Sequence, residues 1–186
     1  MRRLVVMVMM MFSIAGCNTV SEKPGDVYQS HLIKGERYLA ASNHEEATRE
    51  FTKALEIGKK GKQTLIPEVM LGETFLKKGD LDAAGRIAKE IVAKYPKDAS
   101  GWEFLGKVSF RRYNLKEAQV CFEKALEVST KQDKNRVKSL LALTEGLDYY
   151  SRGEVGKAKK SWGNISDKKL AYEAMVKAEE LFEINL

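Results

Sequence analysis

Between Asp98 and Glu127 the apolar positions recur at helical spacing and are interrupted once. Trp102, Leu105 and Ser109 lie three or four residues apart and share one face of a helix. Leu115, Ala118, Phe122 and Ala125 share one face of a second helix, and Tyr113-Asn114 between them predicts the turn. The small residues Gly106 and Ala118 let the two helices approach closely, with Trp102 and Phe122 filling the space beside the contact. One hairpin of this kind cannot bury its apolar face alone, so the pattern predicts neighbours.

The neighbours can be found by aligning on Gly106. A first unit, Tyr28–Gly58, has Gly35, Tyr38, Ala47, Phe51 and Ala54. A second has Leu71, Gly72, Phe75, Ala84, Ala88 and Ile91 and closes with Pro96, and a fourth has Gly146, Tyr149, Ala158, Trp162 and Ile165. The glycine intervals are 37, 34 and 40 residues, which puts insertions at Lys59–Thr64 and Ser129–Asn135, both expected as solvent-facing loops. The spacing W-x2-L-G followed by A-x3-F resembles the tetratricopeptide repeat (TPR), a helix–turn–helix unit of about 34 residues. The resemblance implies an all-α solenoid of about four hairpins over residues 27–165. Four departures stand out: Ser109 replaces an aromatic residue, Ala88 replaces phenylalanine, and His31 and Lys34 replace large apolar residues in the first unit. Polar substitutions suit a terminal unit with no neighbour on one side. Beyond the repeats, Ser166-Asp167 offers an N-cap. Leu170, Ala174, Val176, Ala178 and Leu181 then predict a C-terminal capping helix over 166–186.

The beginning of the chain follows a different pattern. Arg2-Arg3, the apolar run Leu4–Phe12 and Ile14-Ala15-Gly16-Cys17 read as a secretory signal peptide over 1–17. The last four of these residues resemble a bacterial lipobox, which implies that Cys17 is lipidated and becomes the mature N-terminus. Each buried methylene contributes about 0.8 kcal/mol to anchorage, and two or more acyl chains make it stable. Asn18 follows where an aspartate would imply retention at the inner membrane. The implied location is therefore the periplasmic face of an outer membrane, or the outer face of the plasma membrane in a single-membrane bacterium. Residues 18–26, polar and carrying Pro24-Gly25, are read as a tether of at most about 30 Å.

Composition narrows the chemistry. The chain is 44% hydrophobic with three prolines, and no alternating β-branched runs imply a sheet. The net charge is +6, and setting aside the two leader arginines leaves about +4, too mild and dispersed to imply a nucleic-acid partner. The lysine clusters Lys59, Lys60, Lys62 and Lys157, Lys159, Lys160 are read as solvated surface, with contact to anionic lipid or glycan as the alternative. His31 and His44 have no metal-ligand spacing, no nucleophile motif or phosphate loop occurs, and Glu45-Glu46 and Glu179-Glu180 point apart on a helix. No catalytic residue, metal, cofactor or small-molecule substrate is expected. With Cys17 consumed by the anchor, Cys121 reads as a buried structural thiol, and intermolecular pairing or a catalytic thiol is the rival.

Binding is the remaining class. In the repeats this chain resembles, the first helix of each unit lines a concave face where partners dock. The residues this implies are Leu32, Leu39, Val69, Leu76, Phe110, Leu143, Leu147 and Tyr150, interspersed with Glu36, Glu73, Glu103 and Lys107. Leu32, Glu36, Met70 and Phe104 replace most of the Lys/Asn/Arg set of relatives that clamp acidic C-terminal peptides. Packing between neighbouring first helices is the alternative use of the row. An apolar groove with a few charges suits an amphipathic helix or an extended segment of another protein. The expected function is a membrane-anchored adaptor in the assembly of an envelope machine, resembling the pilotins of type IV pili. The alternatives are a scaffold for outer-membrane protein insertion, for polysaccharide export or for a cell-wall enzyme.

Overall fold

The computed structural model describes residues 24–165 and, beyond them, 168, 169 and 171. The signal peptide, Cys17 and nearly all of the proposed capping helix lie outside the described residues. Those described form eight α-helices: α1 (Pro24–Ala40), α2 (His44–Gly61), α3 (Leu65–Lys78), α4 (Leu81–Lys94), α5 (Ala99–Arg111), α6 (Leu115–Val128), α7 (Lys134–Ser151) and α8 (Val155–Gly163). Each helix packs on the next, making four antiparallel hairpins, and α1 also touches α3 as α3 touches α5.

The four turns inside the hairpins share one construction. Ser42, Gly79, Tyr113 and Gly153 all have positive φ. The residue after each donates its backbone N–H to a carbonyl five residues back: Asn43 to Tyr38, Asp80 to Phe75, Asn114 to Ser109 and Glu154 to Tyr149. This Schellman closure satisfies carbonyls that the helix end would otherwise leave unpaired. Gly79 and Gly153 adopt the left-handed conformation without penalty, whereas Ser42 and Tyr113 do so with a side chain. Asn43, Asp80 and Asn114 then cap the second helix, accepting from the N–H groups of Glu46, Ala83 and Glu117.

The insertions lie partly in the loops expected, at 62–64 and 129–133, and are partly taken up as added helix. Residues 59–61 of the first insertion lengthen α2 to 18 residues, against 14 in α4 and α6. The Ser129–Asn135 stretch ends in the first turn of an 18-residue α7, against 13 in α5. An added helical turn bonds most of its own backbone groups, which an irregular loop cannot do. Pro24, Gly25 and Asp26, read as the end of a tether, form the first turn of α1, where a proline's missing N–H has no helical partner to lose.

The core explains both the repeated glycines and one of the departures. A Cβ at Gly35 would meet the Phe51 ring at 2.5 Å and one at Gly106 the Phe122 ring at 2.5 Å, while Gly146 is covered as closely by Trp162. In each case an aromatic ring of the second helix lies flush against the first helix. In the second unit Ala88 leaves that place open, and the ring over Gly72 is Phe104, supplied by the next hairpin. Phe104, Val108, Ala88 and Ile91 are all almost fully buried in one cluster. A missing ring in one repeat is thus replaced from its neighbour, which locks the two units together.

Candidate cleft between the first helices

The helix that continues the row, α7, makes no comparably close approach to α5. A cleft of about 420 Å³ opens among α3, α5 and α7. Leu76, Phe110, Leu140 and Leu143 supply much of its apolar surface, and Glu73, Lys77, Lys107 and Arg111 its charge.

Those charges divide into two sets. Lys107 lies 2.9 Å from both Glu73 on α3 and Glu103 on its own helix, and Arg136 of α7 lies 2.9 Å from the other oxygen of Glu103 and 3.2 Å from Asp133. Glu103 is buried, so the ladder carries charge through the row of first helices and ties α7 to α5 at their starting ends. Burial disfavours the Lys107 ammonium, but Glu73 and Glu103 together outweigh it and its pKa is raised. Lys107 is therefore already neutralised. Lys77 and Arg111, by contrast, are exposed at the ends of α3 and α5 and take part in none of the hydrogen bonds or ion pairs among the described residues. They form a cationic rim over an apolar floor.

The residues expected to line a groove are distributed unevenly. Leu76, Phe110 and Leu143 face the cleft. Leu32 and Leu39 are buried with Tyr28 and Phe51 in the first unit, and Val69 is buried in the cluster that holds Phe104. Leu147 and Tyr150 pack with Trp162, the rings of Tyr150 and Trp162 being 5.8 Å apart between centroids. Those five are committed to helix packing because hairpin closure and the α1–α3–α5 contacts cover that side of their helices. Four contributors were not identified from the sequence: Leu140, Thr144, and the cations Lys77 and Arg111. Each cation directly follows a lining residue, Leu76 or Phe110, at the end of a first helix. That adjacency is the one local signal that pointed to them.

Cys121 is buried, and burial, with Glu117 nearby, pushes its thiol up to about 11. A neutral, enclosed thiol is a poor nucleophile. Among the described residues no group of three or more His, Cys, Asp or Glu could hold a metal ion.

This architecture, paired helices closed by identical turns and stacked side by side, is an all-α solenoid of TPR type. Solved structures share it. TTC0263, a thermophilic TPR protein of Thermus thermophilus, superposes with a TM-score of 0.64 at 23% identity, covering 83% of this chain and 82% of its own. A MamA protein superposes with a TM-score of 0.54 at 20% identity, covering 84% and 82%. MamA residues 41–end from Desulfovibrio magneticus RS-1 give 0.51 at 18% identity, covering 88% and 78%. No family model and no curated protein matches the chain. At these identities the likeness is one of fold.

Proposed function

We propose that this chain is a non-enzymatic adaptor that holds a segment of another protein in the cleft between α3, α5 and α7, while a lipid on Cys17 keeps it at a membrane. The observation that carries the reading is the cleft itself: an apolar floor with two cations that nothing among the described residues neutralises. A partner that fits presents an apolar side chain to Leu76, Phe110 and Leu143 and a carboxylate to Lys77 or Arg111, as an amphipathic helix or an extended segment does. The lipobox-like Ile14–Cys17 supports placement on the periplasmic side of an outer membrane. Anchor plus repeats supports a pilotin-like part in assembling an envelope machine, and outer-membrane protein insertion, polysaccharide export and a cell-wall enzyme are the alternative settings. Tethering raises the local concentration of a partner on the same membrane, to about millimolar with short linkers, so modest intrinsic affinity suffices.

The test places a photo-crosslinking side chain at Lys77, at Arg111 and, as a control on an outward-facing surface, at Val120, which is 54% exposed. In living cells the first two positions are expected to give one shared protein adduct that Val120 does not give. Phe110→Ala with Leu143→Ser is expected to abolish that adduct with helicity intact by circular dichroism. Equal adducts from all three positions, or survival of the adduct in the double variant, would overturn the assignment of the cleft.

A further inference from the structure

Because the hairpins are antiparallel, the odd-numbered helices begin and the even-numbered helices end along one edge of the stack. Three contacts mark that edge: Tyr28 donates to the Gln63 carbonyl, Lys94 reaches Glu68, and Trp102 donates to the Pro96 carbonyl. Along this edge the connections between hairpins carry Lys59, Lys60, Lys62, Lys97, Lys131 and Lys134. All six are exposed, and among the described residues none of their ammonium groups has a hydrogen bond or ion pair. The carboxylates of the same edge are mostly engaged. Glu68 is held by Lys94, Asp133 by Arg136 and Glu127 by Lys124, and Asp98 caps α5; Asp26, Glu56, Glu90 and Glu123 have no such partner among the described residues. At the opposite edge Arg112 pairs with Asp82 and Arg152 with both Asp148 and Glu154. Lys77, Lys78, Arg111 and Lys116 are exposed there without an ion pair among the described residues, so proximity to the anchor and not charge alone distinguishes the two edges.

The lysine edge is also the one at which the described chain starts. Gly25, in the first turn of α1, and Lys60 line the same hollow with Tyr28 and Gln63. Six residues separate Cys17 from Pro24, a stretch that reaches about 20 Å at most. We propose that this edge lies against an anionic phospholipid surface, so that six lysines act as a second membrane contact beside the acyl chains and set the orientation of the solenoid. The inference rests on the anchor reading for its geometry: a lipid on Cys17 brings the start of α1, and with it this edge, toward the headgroups. Attraction between a basic residue and anionic lipid fades within about 10 Å, so only the edge nearest the anchor is drawn in. Each lysine near such a surface strengthens contact about fivefold, and the six lysines outnumber the unpaired Asp26, Glu56, Glu90 and Glu123.

The test uses the full chain on vesicles of phosphatidylethanolamine, with and without phosphatidylglycerol. Surface lysines are acetylated from the aqueous side and read by mass spectrometry. With phosphatidylglycerol present, the six edge lysines are expected to react at about a third of their former rate or less, while Lys77, Lys78 and Lys116 at the other edge keep their rates. Lys60→Glu, Lys97→Glu and Lys131→Glu together are expected to remove the protection of the remaining three; all three positions are solvent-exposed, so the fold is not at stake. Equal rates at the two edges, protection that is the same on vesicles lacking phosphatidylglycerol, or protection that survives the triple charge reversal would each overturn the proposal. The same spectra report the mass on Cys17 and so separate the two ideas. A lipidated Cys17 with an unprotected edge sinks the edge proposal alone, whereas a protected edge on an unlipidated chain sinks the anchor reading and keeps the edge.

Discussion

At the residue scale, the aromatic–glycine contacts and Cys121 show how one position is judged by what presses on it. Cys121 sits one residue before Phe122 on the buried face of α6 and is almost inaccessible. With its pKa pushed to about 11 by burial, the thiol stays protonated throughout the physiological range. It is expected to resist iodoacetamide in the native protein at pH 8 and to react at the rate of an ordinary cysteine once urea unfolds the chain. Native-state labelling at a comparable rate would revive the catalytic thiol. Burial of this cysteine was legible from its place beside Phe122. The height of its pKa depends on the surroundings that packing supplies.

At the scale of elements, polar side chains join helices that apolar patterning alone would only place near one another. His31, at a position where the repeat pattern has a large apolar residue, donates from Nδ1 to Glu50 at 2.7 Å and so ties α1 to α2, while Lys53 donates to the other oxygen of Glu50 at 2.6 Å. The hydrogen bonds from Lys53 and His31 hold the Glu50 carboxyl below the usual range, against the opposing effect of burial. A carboxylate with a lowered folded-state pKa stabilises fully above its unfolded value of about 4.3 and loses that contribution as pH falls through the folded value. Glu50→Gln is therefore expected to cost about 1–2 kcal/mol at pH 7 and progressively less below pH of about 4, read from urea midpoints across pH. A penalty independent of pH would show that shape, not charge, matters at this site. The sequence marked His31 as a departure, but its partner lies 19 residues away on another helix and could not be read from spacing.

For the whole molecule, the decisive feature is that the units are not interchangeable. Phe104 of the third hairpin fills the place over Gly72 that Ala88 leaves vacant in the second. Restoring the repeat pattern with Ala88→Phe is thus expected to destabilise by about 1–3 kcal/mol, because the space is already occupied. Phe104→Ala alone opens a void costing about 3–5 kcal/mol. The double variant is expected to cost at least about 1 kcal/mol less than the sum of the two, since the new ring takes the old one's place. Additive losses in denaturant titrations would mean that the two rings do not share that space. The same non-equivalence makes the cleft: α1, α3 and α5 touch in sequence, and α7 stands off while Arg136 bridges to Glu103 at one end.

The sequence by itself determined the helices, the four hairpins, the turn positions and the glycines of close approach. These depend on interactions among residues near in the chain: helical periodicity, capping side chains, and a ring meeting a glycine sixteen positions earlier. It also named Leu76, Phe110 and Leu143, because a first-helix face recurs with the repeat. Only the tertiary structure decided that Leu32, Leu39, Val69, Leu147 and Tyr150 are spent on packing, that Lys107 is neutralised, and that Lys77 and Arg111 are left free over an open cleft. Those outcomes depend on how far each hairpin rotates against the next, which is set by contacts between units rather than by the pattern within any one of them.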